Sequence, residues 1–185
     1  VGMATCGIAA GARPVMTAIM EEVAKDMNYY RRSGGGLTLS GGESLLQPEF
    51  AKALFMAAHD YGMNTAIEST GAVKFEIIEE LLPHIDYFLM DIKHMNAEKH
   101  KEFIGKSNEL VLENAVKIAK KAKSLVIRVP VIPTFNDTVE EISEIAKFAS
   151  NLENVKVAAT FVMVDRKEKG KTPFFCLILF SYTNS

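Results

Sequence analysis

The chain has 185 residues, with 21 Lys+Arg against 23 Asp+Glu and a formal net charge of −2. That balance gives no basic excess to suggest nucleic acid as a partner, and 48% hydrophobic residues argue against disorder. No apolar run approaches the roughly 20 residues of a membrane helix, so no membrane partner is expected. The two cysteines, Cys6 and Cys176, lie at opposite ends, which excludes a disulfide framework or a zinc site built from cysteine pairs. A soluble protein of a reducing, cytoplasmic compartment is expected. The chain begins with Val1, and Val1–Ala12 lacks the pattern of a signal peptide, so it is read as starting inside a longer gene product.

Taken in order, the first periodic stretch predicts a helix from Pro14 to Tyr30, with Val15, Ile19, Val23 and Met27 at helical spacing. Ser33 to Gly36 ends it. Leu37–Leu39 reads as a short strand, and Pro48 opens a helix to about Tyr61, closed by Gly62. The pattern repeats with a strand at Asn64–Glu68, a helix at Phe75–Leu82 stopped by Pro83, and a strand at Asp86–Ile92. A polar loop follows, then a helix from about Asn108 to Lys123. Leu125–Ile132 reads as a strand covered on both faces, Asp137 as the cap of a helix at Thr138–Ser150, and Val155–Val164 as the last strand. Five strands alternating with five helices predict an α/β fold on a parallel sheet, open or closed into a barrel. One domain is expected over residues 1–164, with an atypical tail at 165–185.

In parallel α/β folds, ligand-binding groups gather where strands end. Those positions hold Gly41, Gly42 and Glu43 after the first strand, Glu68 and Ser69 after the second, and Asp91 and Lys93 after the third. Arg128 lies within an apolar strand, where a guanidinium needs acceptors. Mixed carboxylates and cations beside glycines suit a zwitterionic ligand. Each feature taken alone has a plainer reading as a turn or surface ion pair. His94 and His100 are read as solvated loop residues, and His59 and His84 as late-helix histidines favoured in the partly protonated form. Met56, Met63, Met90 and Met95 read as core or loop filler.

Four segments carry a family resemblance: Tyr30–Glu43 with its Gly-Gly-Glu, Ile67–Gly71, Leu89–Met95, and Ile127–Pro133 followed by Asn136 and Asp137. In order and spacing, over about Thr17 to Val155, they resemble the radical SAM activating enzymes of glycyl-radical enzymes, the pyruvate formate-lyase activase group. The resemblance implies a partial (β/α) barrel, here incomplete, with its first strand missing. It also implies reductive cleavage of S-adenosylmethionine to make a glycyl radical on a partner glycyl-radical enzyme, with electrons from a donor such as flavodoxin or ferredoxin. By resemblance, Gly41, Gly42 and Glu43 contact the methionyl amino group, Asp91 and Lys93 hold the amine and carboxylate, and Arg128 lies near the cofactor. Glu68 and Ser69 match positions that in some members bind a monovalent cation. The family's C-x-x-x-C-x-x-C loop, which ligates a 4Fe-4S cluster, is absent from this sequence, so its ligands are expected upstream of the chain; Cys6 reads as incidental. The Leu-Pro-Tyr-His-like motif expected on the last strand is also absent, and Phe174–Phe180 resembles no family segment. Alternative readings are a catalytically inactive remnant that keeps a cofactor-binding or partner-docking surface, and an unrelated (β/α) enzyme using Asp91 and Lys93 as acid and base.

Overall fold

A computed structural model describes residues 12–153, 155, 157–158 and 181–182. Cys6, Cys176, the segment Phe174–Phe180 and most of the expected strand Val155–Val164 lie outside the described residues. Four strands, β1 (Gly36–Leu39), β2 (Asn64–Ser69), β3 (Tyr87–Asp91) and β4 (Leu125–Arg128), form one parallel sheet in the order β1-β2-β3-β4. The helices are α1 (Ala12–Ala24), α2 (Met27–Ser33), α3 (Pro48–Asp60), α4 (Phe75–Leu81), α5 (Ala97–Ile104), α6 (Glu109–Lys121) and α7 (Val139–Ser150). Val155 bridges Leu125 in parallel, and a two-residue strand β5 (Val157–Ala158) pairs antiparallel with β6 (Ser181–Tyr182).

Period-two alternation sorts the sheet into two unlike faces. Ile67 of β2, Phe88 and Met90 of β3, and Leu125 and Ile127 of β4 are buried and packed with Phe55 of α3, Ile78 and Leu81 of α4 and Ile118 of α6, and Ser69 of β2 is buried on the same face. A second cluster joins Met16 and Met20 of α1 to Leu37, Leu54 and Ala58. On the opposite face the register places Glu68 beside Leu89, Leu89 beside Val126, and Asp91 beside Arg128. Thr38 pairs with Ala66, so Ser40, two residues on, continues the same face. Leu125–Ile132 was expected to be covered on both faces. Instead β4 stops at Arg128, and Val126 and Arg128 face a half-open side that carries charge.

Other boundaries also differ. The expected helix Pro14–Tyr30 is two helices, broken at Lys25 and Asp26; the second ends where Gly34, at φ 67°, donates its N–H to Tyr30 O at 2.8 Å. The polar loop after β3 contains α5, started by Asn96, whose side chain accepts from Lys99 N at 2.9 Å. Thr138, not Asp137, caps α7: its hydroxyl accepts from Glu141 N at 3.2 Å, in the extended conformation a cap requires. Pro83 lies inside a short 3-10 turn, Leu82–His84, that extends α4 rather than stopping it abruptly.

Candidate functional site

The carboxyl ends of β1 to β4 bring their polar groups into one connected row. Ser40 donates its hydroxyl to Glu68 Oε2 at 2.6 Å, and the other oxygen of Glu68 pairs with Arg128. Arg128 Nε lies 3.1 Å from Asp91 Oδ1, and Lys93 Nζ lies 3.6 Å from Asp91 Oδ2. Two carboxylates and two cations thus alternate across three strand ends. Because Glu68, Asp91 and Arg128 share a sheet face, their contact follows from parity and register. Burial alone would raise the Glu68 carboxyl, but the Ser40 hydrogen bond and the Arg128 charge outweigh it and hold it below its ordinary value.

Asp91 Oδ1 is the exception in this row. It is buried, yet accepts no aligned hydrogen bond among the described residues, Arg128 Nε being close but badly directed. The Asp91 side chain is 21% exposed while Oδ1 is fully covered, so an ammonium would meet Asp91 from its Oδ2 side, and Lys93 is placed to take a carboxylate beside it. The donor set therefore fits the methionyl end of S-adenosylmethionine. It does not fit an iron–sulfur cluster: among the described residues there is no cysteine and no group of three His, Cys, Asp or Glu able to hold a metal ion.

Glu43 is placed differently from Glu68 and Asp91. Its Oε1 accepts from Ser69 Oγ at 2.7 Å and Leu45 N at 3.3 Å, and its Oε2 from Thr70 Oγ1 at 2.9 Å and Thr70 N at 3.2 Å. The side chain staples the loop after β1 to the loop after β2. Ser69 Oγ in turn accepts from Gly71 N at 2.8 Å. Gly41 and Gly42, at φ 83° and 52°, adopt the left-handed region, and an added Cβ on either would meet nothing within 4 Å. Glu43 thus holds a glycine loop with open space on the side where a Cβ would stand. A cleft of about 400 Å³ beside this loop is lined by Leu39, Ser40, Gly41, Gly42, Glu43 and Phe50, among others; it meets the row at Ser40, while Glu68, Asp91, Lys93 and Arg128 lie outside its lining.

All eight residues singled out from the sequence therefore lie at one edge. Glu68, Arg128, Asp91 and Lys93 are in direct contact, Glu43 and Ser69 form a second pair, and Gly41 and Gly42 form the open rim. Sequence reasoning missed Ser40 and Thr70, although Ser40 shares the parity of Thr38 and Glu68. It also misjudged the histidines. His94 and His100 are buried, not solvated. His94 Nδ1 accepts from Asn96 N at 3.0 Å and lies 3.0 Å from Glu141 Oε1; burial lowers its pKa despite that carboxylate. His84 is also shifted down, by burial and then by Lys52, His59 and Lys123, so the expected partly protonated form is not favoured there.

The comparisons agree with this geometry. The Radical SAM superfamily description matches residues 6–149. The chain is 43% identical over 132 residues to the (2S)-3-sulfopropanediol dehydratase activating enzyme of Klebsiella oxytoca, covering 71% of this chain and 42% of that protein. It is 44% identical over 140 residues to the isethionate sulfite-lyase activating enzyme of Desulfovibrio desulfuricans, covering 75% and 45%. The chain therefore spans less than half the length of these curated relatives. Among solved structures, a domain of pyruvate-formate lyase-activating enzyme from Bacteroides vulgatus superposes with a TM-score of 0.65 at 27% identity, over 75% of this chain and 86% of that one. With four motifs in order, a parallel sheet of matching topology and a charged row at its carboxyl edge, the chain belongs to the radical SAM superfamily.

Proposed function

We propose that this chain is the part of a glycyl-radical enzyme activating enzyme that binds and aims S-adenosylmethionine. The observation that carries the reading is the row Glu68–Arg128–Asp91–Lys93 at the carboxyl edge of the sheet, with the Asp91 and Lys93 side chains each about one-fifth exposed there. In this reading Asp91 takes the methionyl ammonium and Lys93 the carboxylate. The backbone of Gly41 and Gly42 closes over the amino-acid end, and Arg128 fixes Asp91 and Glu68 in place from behind. Of the two residues matched to a monovalent cation, Glu68 is already engaged by Ser40 and Arg128, while Ser69 lies on the opposite sheet face with its hydroxyl engaged by Glu43 and Gly71, so an ion beside the carboxylate would share Glu68 oxygens and not the Ser69 hydroxyl. When bound, the cofactor supplies reductive cleavage at its sulfonium, driven by a 4Fe-4S cluster and an electron donor such as flavodoxin or ferredoxin, and the partner is a glycyl-radical enzyme. What this chain contributes is orientation of a zwitterion and exclusion of water from it. The relatives' names, all activating enzymes, support the assignment.

Isothermal titration of the 185-residue chain with S-adenosylmethionine tests the reading. Asp91→Asn and Lys93→Met should each weaken binding by about tenfold, the loss expected for one charge-assisted hydrogen bond. Equal affinity in wild type and both variants, or no binding by the wild type, contradicts it.

A further inference from the structure

We propose that Asn136 is the positioning residue for Lys93, a role that rests on the assignment of Lys93 to the ligand carboxylate. Lys93 lies two residues past β3, beyond the last ladder hydrogen bonds of the sheet, so regular structure does not fix its backbone. Buried side chains do so instead. Asn136, fully buried, donates Nδ2 to Lys93 O at 2.6 Å and to Pro130 O at 3.0 Å, while its Oδ1 accepts from Ile132 N at 2.6 Å. One amide thereby ties the segment after β3 to the segment after β4 and uses both donors and an acceptor. The next residues are held in the same manner: Asn108 Nδ2 donates to His94 O at 2.7 Å and Met95 O at 2.8 Å, and Glu141 Oε1 accepts from Met95 N at 2.6 Å.

Two further observations single out Asn136 within this arrangement. Of the three buried asparagines among the described residues, it alone reaches a residue of the charged row; Asn114 makes a comparable double contact, to Gly71 O at 2.7 Å and Val73 O at 2.8 Å, on the loop after β2. Its own loop is also held under strain: Thr134, β-branched, has φ 68°, the one positive value on a non-glycine among the described residues. A loop that keeps such a residue left-handed is over-determined by its contacts, and the Asn136 amide supplies three of them. Removing the amide frees the Lys93 carbonyl and lets its ammonium drift from the 3.6 Å approach to Asp91.

The test uses the 185-residue chain labelled with ¹³C-lysine and two ligands, S-adenosylmethionine and its decarboxylated analogue, with Asn114→Ala as the control that removes a two-carbonyl clamp elsewhere. In Asn136→Ala the Lys93 Cε resonance should lose its restricted relaxation, and affinity for S-adenosylmethionine should fall by about tenfold while affinity for the analogue changes less than about twofold. Asn114→Ala should leave the Lys93 resonance and the ratio of the two affinities unchanged. If Asn136→Ala does not fold, the same measurements are made with Thr134→Gly added, since glycine accepts the left-handed backbone without the clamp. Lys93 Cε as restricted in the variant as in wild type, or equal losses for both ligands, overturns the proposal. A wild type that binds neither ligand overturns the functional assignment instead, and the Lys93 relaxation still decides the clamp.

Discussion

The two ends of the same four strands carry polar networks of similar composition and opposite character. At the amino edge, Asp86 Oδ2 accepts from Thr65 N and from His59 Nε2, both at 2.9 Å, and its Oδ1 accepts from Lys123 at 2.9 Å. Thr65 donates its hydroxyl to His84 O at 2.7 Å and accepts from Asp86 N at 3.1 Å. Burial would raise the Asp86 carboxyl, but Lys123, His59 and the Thr65 amide hold it far below its ordinary value. At the carboxyl edge Asp91 keeps an oxygen with no aligned donor, and Gly41 and Gly42 face open space. The buried Ser124 hydroxyl at the amino edge also lacks a partner, but it is neutral, whereas the orphan above belongs to a carboxylate. Asp86 has its oxygens taken up within the chain and serves the fold, whereas Asp91 stands at the open edge, where the proposed ligand would meet it.

Glycine substitutions separate the two edges most sharply. Gly36 lies where β1 approaches β2, and a Cβ there would stand 1.9 Å from Asn64 O, a backbone atom that cannot move aside. Gly36→Ala should cost about 3 kcal/mol or more in a urea melt, through displacement of the whole strand pair. Gly41→Ala meets no atom and should cost only about 1 kcal/mol, from its positive φ. Similar losses at the two sites would show that the carboxyl-edge loop is as tightly built as the amino edge.

The matched aspartate pair comes next. Asp86→Asn breaks contacts to three groups, and with Asp86 about one-fifth exposed we expect a loss of about 2 kcal/mol. Asp91→Asn should lose less than about 1 kcal/mol, because Arg128 retains Glu68 and one oxygen had no aligned donor to lose. Denaturant midpoints of both variants measure the difference, and a larger effect at Asp91 would reverse the assignment of the two edges.

Acid sharpens the same contrast. The carboxyls of Asp86 and Glu68 are both depressed in the fold, so the stability they contribute is present above their ordinary values of 3.8 and 4.5 and lost as pH falls through the folded ones. Asp86 is shifted much further, so Asp86→Asn should flatten most of the stability loss below about pH 4, and Glu68→Gln less of it. A smaller loss begins earlier. The pKa values of His94 and His84 are both lowered in the fold, so the unfolded chain takes up protons first and stability declines as pH falls below their ordinary 6.5. A denaturation series between pH 7.5 and 5 on His94→Gln should show a shallower slope than wild type; an unchanged slope would contradict a His94 pKa lowered by burial.

Much of this contrast is legible in the sequence, and the reason is parity. Asp91 and Lys93 fall two apart past a strand, and Glu68 and Arg128 follow from the alternation of their own strands, so their meeting needs only the correct sheet order. Helix α5 was missed because half of Ala97–Ile104 is charged and the segment resembles a solvated loop; it folds as a helix through the Asn96 cap and the burial of His100. The asparagine clamps were missed because their partners are carbonyls in other segments, which composition and periodicity do not register. Asn114 did leave a signal: it stands in the apolar stripe Val111, Ala115, Ile118, where a polar residue needs buried partners. Glu43 was grouped with the ligand contacts from its place after a strand, while its side chain is occupied by Ser69, Thr70 and Leu45, contacts that depend on how the second loop folds.

The central claim is that the carboxyl edge, and not the amino edge, receives the zwitterion. Amide chemical-shift mapping of the 185-residue chain with S-adenosylmethionine tests it directly. Shifts should concentrate at Ser40 to Gly42, Glu68 and Ser69, Asp91 to Lys93 and Arg128, and leave Thr65, Asp86 and Ser124 unmoved. Shifts centred on Thr65, Asp86 and Ser124, or none at the carboxyl edge at saturating ligand, would contradict the account.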